Sequence, residues 1–326
     1  MNRITLSKLI ALAVGIGCIL FAYNYNKSAT YEISGSIYGT YWKLLSTEYI
    51  PDTIKKSIET ELARIDLVAS NYKTSSELSL INETPINKKI GISSDMFSLL
   101  RFAENIHQIT NGFYDVTLGS LIINEGFGPE ATMIDNTIPV SKKRFEFISN
   151  NSIVKKDNFQ FDLSSIAKGY AVDAISQILI KANRNNFLID IGGEIIVNGS
   201  KHGDPWVIGI QNPSSLKNQS SIEIYSTDFL AVATSGEYRN YKLNEDGHLV
   251  SHTFDPETEE SIIDKSYSVT VVSIESSMAA DAWATALNVL GPEIGIKIAN
   301  EQGISVMYIM QEDNIMIKSK SWNYSD

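Results

Sequence analysis

Apolar residues recur at helical spacing in several stretches of the chain. Pro51 and Asp52 open a segment in which Ile58, Leu62 and Ile65 fall on one face, which predicts an amphipathic helix. The stretch "SSDMFSLLRFAENIHQIT" begins with serine and aspartate caps and predicts a second such helix. An alanine-rich helix is predicted for "SSMAADAWATALNVLG", and another for the residues from 292 to 302. The segments 70–84 and 113–129 lose this periodicity and are predicted to be loops.

Alternating apolar residues predict strands between these helices. The stretch "YEISGSIYGTYWKLLS" reads as one strand with a kink at Gly39, and "NFLIDIGGEIIVNG" as a buried strand broken by two glycines. Further strands are predicted at "WVIGI", "SIEIYS", "FLAVATSG" and "YSVTVVSI", and a closing hairpin at "ISVMYIM" and "NIMIKSK". Because strands and helices mix without regular βαβ alternation, the sequence predicts an α+β fold with mixed sheets and packed helices.

The amino terminus has the pattern of a targeting segment. Arg3 and Lys8 precede an apolar run from Leu9 to Tyr23, which suits a signal peptide and is short for a spanning helix of roughly 20 residues. Residues 1–30 are therefore predicted to be a signal or membrane-anchor segment with its linker, and residues 31–326 one exported domain. The basic residues predict that this domain lies on the extracytoplasmic, periplasmic side of the inner membrane. Cys18, the single cysteine, lies in the apolar run, so no disulfide can form within the chain.

The overall charge restricts the class of partner. Lysine and arginine number 27 against 38 aspartates and glutamates, which leaves a net charge of −11. Domains that bind nucleic acid usually present a basic face, so a nucleic-acid partner is not expected. An anionic substrate would need a metal ion or a few local cations.

One carboxylate stands out because its neighbours are small or apolar. Asp281 lies inside the alanine-rich helix, where an unpaired buried carboxylate is costly. Thr285 follows four residues later, so both oxygens project from one helix face. Magnesium or calcium would bind such oxygens. The alternative is a helix residue that caps a neighbouring loop.

Known nucleotide and zinc motifs are absent, and one histidine is a candidate for proton transfer. The chain has no G-x-x-x-x-G-K-[ST] loop and no H-E-x-x-H pair. His252 precedes "TFDP" after a predicted strand, where an ordinary histidine pKa suits general-base chemistry. A structural histidine bonded to a carbonyl is the alternative.

Several segments occur in an order that matches a known family. They are "YGTYW", "DLVASNYKTSSELSLIN", "NGFYDVTLGSL" with "GFGP", "DLSSIAKGYAVD", "IDIGGE", "VATSGEYRNY", "HTFDP" and "AADAWATALNVLG". Together they resemble the FAD:protein FMN transferase family of the ApbE type, over residues from about 38 to 291. The resemblance implies an ApbE-like, T-fold-like architecture. It also implies magnesium-dependent transfer of FMN from FAD to a serine or threonine hydroxyl of a partner protein, with release of AMP.

The same resemblance assigns roles to individual residues. His252 and Asp281 are the candidates for the catalytic base. The implied metal ligands are Ser165, Met278, Asp281 and Thr285, the first two through main-chain oxygens. The implied FAD-binding residues are Tyr38, Tyr72, Phe113, Tyr114, Asp115, Asp162, Lys168 and Thr253. The expected partner is a redox protein subunit that carries the acceptor hydroxyl. An FAD diphosphatase and a non-catalytic exported flavin-binding protein are the alternatives.

Overall fold

The computed structural model describes residues 3–27, 29–127, 144–213, 220–236, 241–243, 249–251, 254–256, 258 and 267–324. Within these ranges the helices are α1 (Arg3–Lys27), α2 (Asp52–Ala69), α3 (Glu77–Glu83), α4 (Ser94–Ile109), α5 (Gly119–Ile122), α6 (Ala167–Lys181) and α7 (Ser277–Gln302), and a π-helical turn covers Ile123–Phe127. The strands are β1 (Tyr31–Ile37), β2 (Thr40–Ser46), β3 (Lys89–Gly91), β4 (Phe145–Ser149), β5 (Ser152–Lys155), β6 (Phe187–Ile191), β7 (Glu194–Asn198), β8 (Trp206–Gln211), β9 (Ser220–Ser226), β10 (Leu230–Gly236), β11 (Tyr241–Leu243), β12 (Leu249–Ser251), β13 (Tyr267–Ser273), β14 (Ser305–Met310) and β15 (Met316–Lys318).

The α+β class predicted from the sequence is confirmed. Eight strands form one sheet in the order β1-β2-β6-β7-β10-β13-β14-β15, and small sheets join β3-β5-β4, β8-β9 and β11-β12. The named strands pair antiparallel with one another in all of these sheets. Among the described residues, no helix combines the length and the apolar character that crossing a membrane requires.

The large sheet separates two apolar cores. Alternate residues of β14 show this directly, because Val306 and Tyr308 pack into the larger core while Met307 and Ile309 pack into the smaller one. The larger core lies under α2, α4, α6 and α7, and the smaller one under β8 and β9. A sheet covered on both faces needs nearly continuous apolar strands, and six of the seven residues of β13 are buried.

Two predicted strands are in fact hairpins. Tyr38 and Gly39 have φ angles of 52° and 72°, and they turn the chain from β1 into β2. Gly192 and Gly193 have φ angles of 62° and 110° and join β6 to β7. Positive φ at both central residues is what a tight hairpin turn with the right twist requires, so the glycines mark reversals rather than kinks.

The two predicted loops contain short helices. Ser76 caps α3 by accepting a hydrogen bond of 3.1 Å from the backbone N–H of Ser79, a cap that the polar composition of this segment concealed. The second loop forms α5 and the π-helical turn. Helices α2, α4 and α7 were predicted correctly, and α7 is interrupted at Gly291, whose φ of 75° is not helical, just before Pro292.

Candidate active site

A cavity of about 300 Å³ opens where several loops meet the middle of α7. Its walls come from the segment after α4, the segment that leads into α6, the β6–β7 hairpin, the end of β10 and one face of α7. The residues that line it are Phe113, Tyr114, Asp115, Leu118, Ile122, Asp162, Ser164, Ser165, Lys168, Gly192, Glu194, Thr234, Ser235, Gly236, Phe254, Asp281, Ala284, Thr285 and Val289.

The amino-terminal end of α7 is held by two side chains. The Ser276 hydroxyl accepts a hydrogen bond of 3.0 Å from the backbone N–H of Ala279 and caps the helix. The Asp173 carboxylate, on α6, accepts hydrogen bonds of 2.8 Å and 2.9 Å from the backbone N–H groups of Ser277 and Met278. Burial raises the pKa of the Asp173 carboxyl to about 6, although these bonds oppose the shift. The helix that carries Asp281 is therefore fixed at its first turn by α6.

Asp281 is buried and faces α6. Its Oδ2 atom accepts a hydrogen bond of 2.9 Å from the backbone N–H of Gly169, and its Oδ1 atom lies 3.6 Å from Nζ of Lys168. Thr285 lies one turn further along α7 and lines the same cavity. The Asp281 carboxylate thus has partners on α6, and Thr285 lines the same cavity as Asp281.

Lys168 connects Asp281 to a second buried carboxylate. Its Nζ atom lies 3.0 Å from Oε1 of Glu194, which directly follows the β6–β7 turn. Burial works to lower the pKa of Lys168, but the negative charges of Asp281 and Glu194 outweigh it and raise that pKa. Burial raises the pKa of Glu194 above its ordinary value. The Oε2 atom of Glu194 is buried and has no hydrogen-bond partner among the described residues.

Ser165 is held against the aromatic segment after α4. The hydroxyl groups of Tyr114 and Ser165 lie 2.9 Å apart and share a hydrogen bond. Burial raises the pKa of the Tyr114 phenol, so it stays protonated and can act as donor. Phe113 lies beside it in the cavity wall. This wall offers aromatic surface next to polar oxygens.

A buried ion pair fixes Asp115. Its Oδ1 atom accepts hydrogen bonds from the backbone N–H of Thr117 at 2.8 Å, from the Thr117 hydroxyl at 2.7 Å and from the guanidinium of Arg144. The side chains of Arg144 and Asp115 are 6% and 7% exposed. Charges so deeply buried are stable only when paired, which makes the orientation of Asp115 specific.

Asp162 lies in the wall near Tyr72. It accepts a hydrogen bond of 2.5 Å from Nδ2 of Asn71 and one of 2.9 Å from the backbone N–H of Ser164. Tyr72 is 64% exposed and donates a hydrogen bond of 2.9 Å to the carbonyl of Phe127. Partial burial, followed by the negative charge of Asp162, raises the pKa of Tyr72. Tyr72 does not line the cavity but lies close to one of its walls.

Two more predicted site residues, Tyr38 and Met278, do not line the cavity. The Tyr38 hydroxyl donates a hydrogen bond of 2.9 Å to the carbonyl of Leu62, which fixes the β1–β2 turn to α2 and keeps the ring out of the cavity wall. The Met278 side chain lines a separate hollow with Phe97 and Arg101. Its predicted role as a metal ligand concerned a main-chain oxygen and stays a prediction.

His252 and Thr253 lie outside the described residues. The next residue, Phe254, is 5% exposed and lines the cavity. The roles of the histidine and the threonine stay predictions from the sequence.

The oxygen atoms in this cavity suit a hard cation. No cluster of three or more His, Cys, Asp or Glu residues that could hold a metal occurs in the described part of the chain. Magnesium does not need one, since it is usually bound by one or two carboxylates together with substrate phosphates. Asp281 offers a carboxylate and Thr285 a hydroxyl to a space that Ser165, predicted to bind through its main-chain oxygen, also lines. A magnesium ion that is also bound by a diphosphate therefore fits these residues.

Glu194, Arg144 and Asp173 are the residues that sequence reasoning left without a role. Glu194 had a signal, because it follows a glycine pair in "IDIGGE". Asp173 stands five residues after Lys168, and only the packing of α6 on α7 shows that it caps a helix. No local pattern marked Arg144, whose importance rests on its contact with Asp115.

Known proteins resemble this chain in sequence and in overall fold. Residues 38–308 match the ApbE family. An FAD:protein FMN transferase of Vibrio cholerae is 33% identical, over 87% of this chain and 88% of its own length. One of Haemophilus influenzae is 31% identical, over 97% and 96%. The solved structure of the flavin transferase ApbE from Vibrio cholerae superposes with a TM-score of 0.78 at 30% identity, over 90% of this chain and 98% of that one. The chain therefore belongs to the ApbE family.

Proposed function

We propose that this protein is an FAD:protein FMN transferase that uses Mg²⁺. It would move FMN from FAD to a serine or threonine hydroxyl of a target protein through a phosphoester bond and release AMP. The names of its relatives support the transferase activity. The observation that carries the proposal is the meeting of Asp281, Thr285, Ser165 and Lys168 in one cavity beside Phe113 and Tyr114.

Each group in the cavity suits part of a dinucleotide. The half-buried ring of Phe113, backed by the buried Tyr114, offers flat apolar contact for a ring system. The Lys168 ammonium offers positive charge for the phosphates. Asp281, Thr285 and Ser165 would hold the magnesium ion, which when bound neutralises charge that develops on the transferred phosphoryl group.

The reaction breaks one phosphorus–oxygen bond of the diphosphate and forms one phosphoester bond. The acceptor hydroxyl oxygen forms a bond to the phosphorus of the FMN half, and the bond from that phosphorus to the oxygen shared with AMP breaks. The hydroxyl proton passes to a general base, for which His252 is the first candidate and Asp281 the second. The bond electrons leave with AMP, and Lys168 is placed to stabilise the negative charge.

We also propose that the domain acts outside the cytoplasm, on a redox protein subunit at or near the inner membrane. The support is the amino-terminal pattern of two basic residues followed by an apolar run from Leu9 to Tyr23. Whether that segment serves as a cleaved signal or as an anchor is tested by sequencing the amino terminus of the mature protein.

The transferase proposal is tested with purified protein, FAD, MgCl₂ and an extract of cells that lack this chain. We expect a protein band that stays fluorescent after denaturation, mass-spectrometric evidence of FMN on a serine or threonine, and AMP in equal amount. Asp281→Asn should abolish both products, because it removes the ligand charge while an amide oxygen can still accept from Gly169. Asp52→Asn, at the first turn of α2, is the matched control and should retain activity.

Two outcomes would contradict the proposal in different ways. Release of FMN and AMP without any covalently labelled protein would assign the diphosphatase reaction instead. Tight FAD binding without AMP release, unaffected by Asp281→Asn, would assign a non-catalytic flavin-binding protein.

A further inference from the structure

Lys168 lies between two buried carboxylates, and its two contacts differ. The distance from Nζ to Glu194 Oε1 is 3.0 Å, which is a direct hydrogen-bonded ion pair. The distance to Asp281 Oδ1 is 3.6 Å, which is too long for a good hydrogen bond. The ammonium is thus bound to Glu194 and only held near Asp281.

The two oxygens of Asp281 have different partners. Oδ2 is engaged by the backbone N–H of Gly169, and Oδ1 faces the Lys168 ammonium. A divalent cation that binds Asp281 would have to compete with the Lys168 ammonium for the negative charge of the Asp281 carboxylate. The positive charge of Lys168, so close to a candidate metal ligand, repels an incoming metal ion and lowers its affinity.

Glu194 has one oxygen for which the described residues provide no hydrogen-bond partner. Its Oε1 contacts Lys168, whereas Oε2 is buried without a hydrogen bond from any described residue. A buried acceptor of this kind is costly. If the ammonium moves away from Asp281 and fully onto Glu194, the second oxygen gains a donor.

We infer that Lys168 is a built-in cation that balances Asp281 before the metal enters, and that Glu194 is a positioning residue that draws this ammonium off the metal site. The inference rests on the magnesium site in the proposed function and extends it. It assigns Glu194 a part in metal affinity that does not require contact with the metal. It also explains why an acidic cavity contains a half-buried lysine beside its candidate metal ligand.

The test is the affinity for cation alone, measured without FAD. Titration calorimetry with MgCl₂, and electron paramagnetic resonance with Mn²⁺ as a spectroscopic substitute, give dissociation constants that do not depend on turnover. Lys168→Met should bind either cation about tenfold more tightly, because it removes an opposing charge. Lys168→Arg keeps the charge and should restore affinity towards that of the wild type.

A double-mutant cycle separates positioning from simple charge loss. Glu194→Gln should weaken cation binding, because the ammonium then turns to Asp281. In the Lys168→Met background the same change should have a clearly smaller effect, since there is no ammonium left to position. Lys43→Met, which removes a surface cation paired with Glu32 at 3.3 Å, is the control and should leave the affinity unchanged. Circular dichroism and thermal unfolding establish that each variant is folded.

The outcomes distinguish this inference from the proposed function. If the wild type binds Mg²⁺ and Lys168→Met binds it equally or more weakly, the inferred role of Lys168 as a built-in cation is wrong. If Glu194→Gln has the same effect in both backgrounds, Glu194 acts only by its charge and the positioning role is wrong. If neither the wild type nor Lys168→Met binds Mg²⁺ or Mn²⁺, the metal site itself fails, and the proposed mechanism fails with it.

Discussion

The carboxylate of Asp281 and the backbone N–H of Gly169 are joined by a hydrogen bond of 2.9 Å between α7 and the first turn of α6. The contact requires the two helices to approach closely. A methyl group at position 169 would lie 2.8 Å from Cβ of Asp281 and would clash with the carbonyl oxygen of Ser277. Glycine is therefore the residue that lets α6 reach the candidate metal ligand.

Gly169→Ala should separate the two helices and disturb the site. We expect the free energy of unfolding to fall by about 1–3 kcal/mol, as in other overpacked cores, and cation affinity to fall with it. Chemical denaturation and calorimetry measure these effects. Gly91→Ala is the matched control, because among the described residues no atom beyond its own chain neighbours lies within 4 Å of a methyl group placed there. Wild-type stability of Gly169→Ala would show that the helices can adjust without cost.

Arg144→Met should destabilise the protein by leaving Asp115 buried without its partner. Removing one member of a buried pair typically lowers the free energy of unfolding by about 3 kcal/mol or more. Denaturant unfolding measures the change. Arg64→Met is the control: Arg64 also contacts two carboxylates, Glu61 and Asp95, but its side chain is 43% exposed, and its loss should cost at most about 1 kcal/mol. Equal effects of both substitutions would contradict the importance of burial.

Stability should depend on pH through Lys155, a buried lysine outside the cavity. Burial lowers its pKa to about 8 from an ordinary value of 10.5, and Nζ donates a hydrogen bond of 2.9 Å to the carbonyl of Asn82. Between these two values the unfolded chain binds more protons than the folded chain, so the free energy of unfolding rises with pH across that window. Below it, the buried charge opposes folding.

The variant Lys155→Met should lack this rise. The measurement is urea unfolding at several pH values from 7 to beyond 10, taken as the difference between wild type and variant. Lys156→Met, which removes the adjacent cation that pairs with Glu146 on the surface, should keep the wild-type profile. A constant difference between wild type and Lys155→Met over the whole range would contradict the lowered pKa.

His252→Ala should slow FMN transfer by roughly 10²–10⁴-fold if His252 is the general base. The affinity for FAD and the affinity for Mg²⁺ measured without FAD should change little, because the proton transfer occurs only during the reaction. The rate is followed by the fluorescence of the labelled acceptor. His202→Ala, in an exposed turn beside Thr30, is the control. A negligible effect of His252→Ala would leave Asp281 as the candidate base.

Much of the candidate site follows from sequence because its members lie in short local patterns. Asp281 and Thr285 share a helix face by their spacing, and Phe113 to Asp115 follow directly after a predicted helix. These arguments need only the periodicity of a helix and the chemistry of the side chains. Such local patterns do not show which residues of other elements lie opposite these side chains. The ion pair between Lys168 and Glu194 joins α6 to a hairpin that follows it, and no local pattern indicates that contact.

The sequence by itself determined the long helices, most strands and the isolated carboxylate, since these depend on residue spacing within a single element. Tertiary structure alone decided that Gly39 and the glycine pair at 192 and 193 reverse the chain, that Tyr38 turns to Leu62 instead of the cavity, and that Glu194 and Arg144 hold site residues in place. The physical reason is range. Periodicity and capping act over a few residues, whereas a buried charge takes its partner from whichever element the packed core brings beside it.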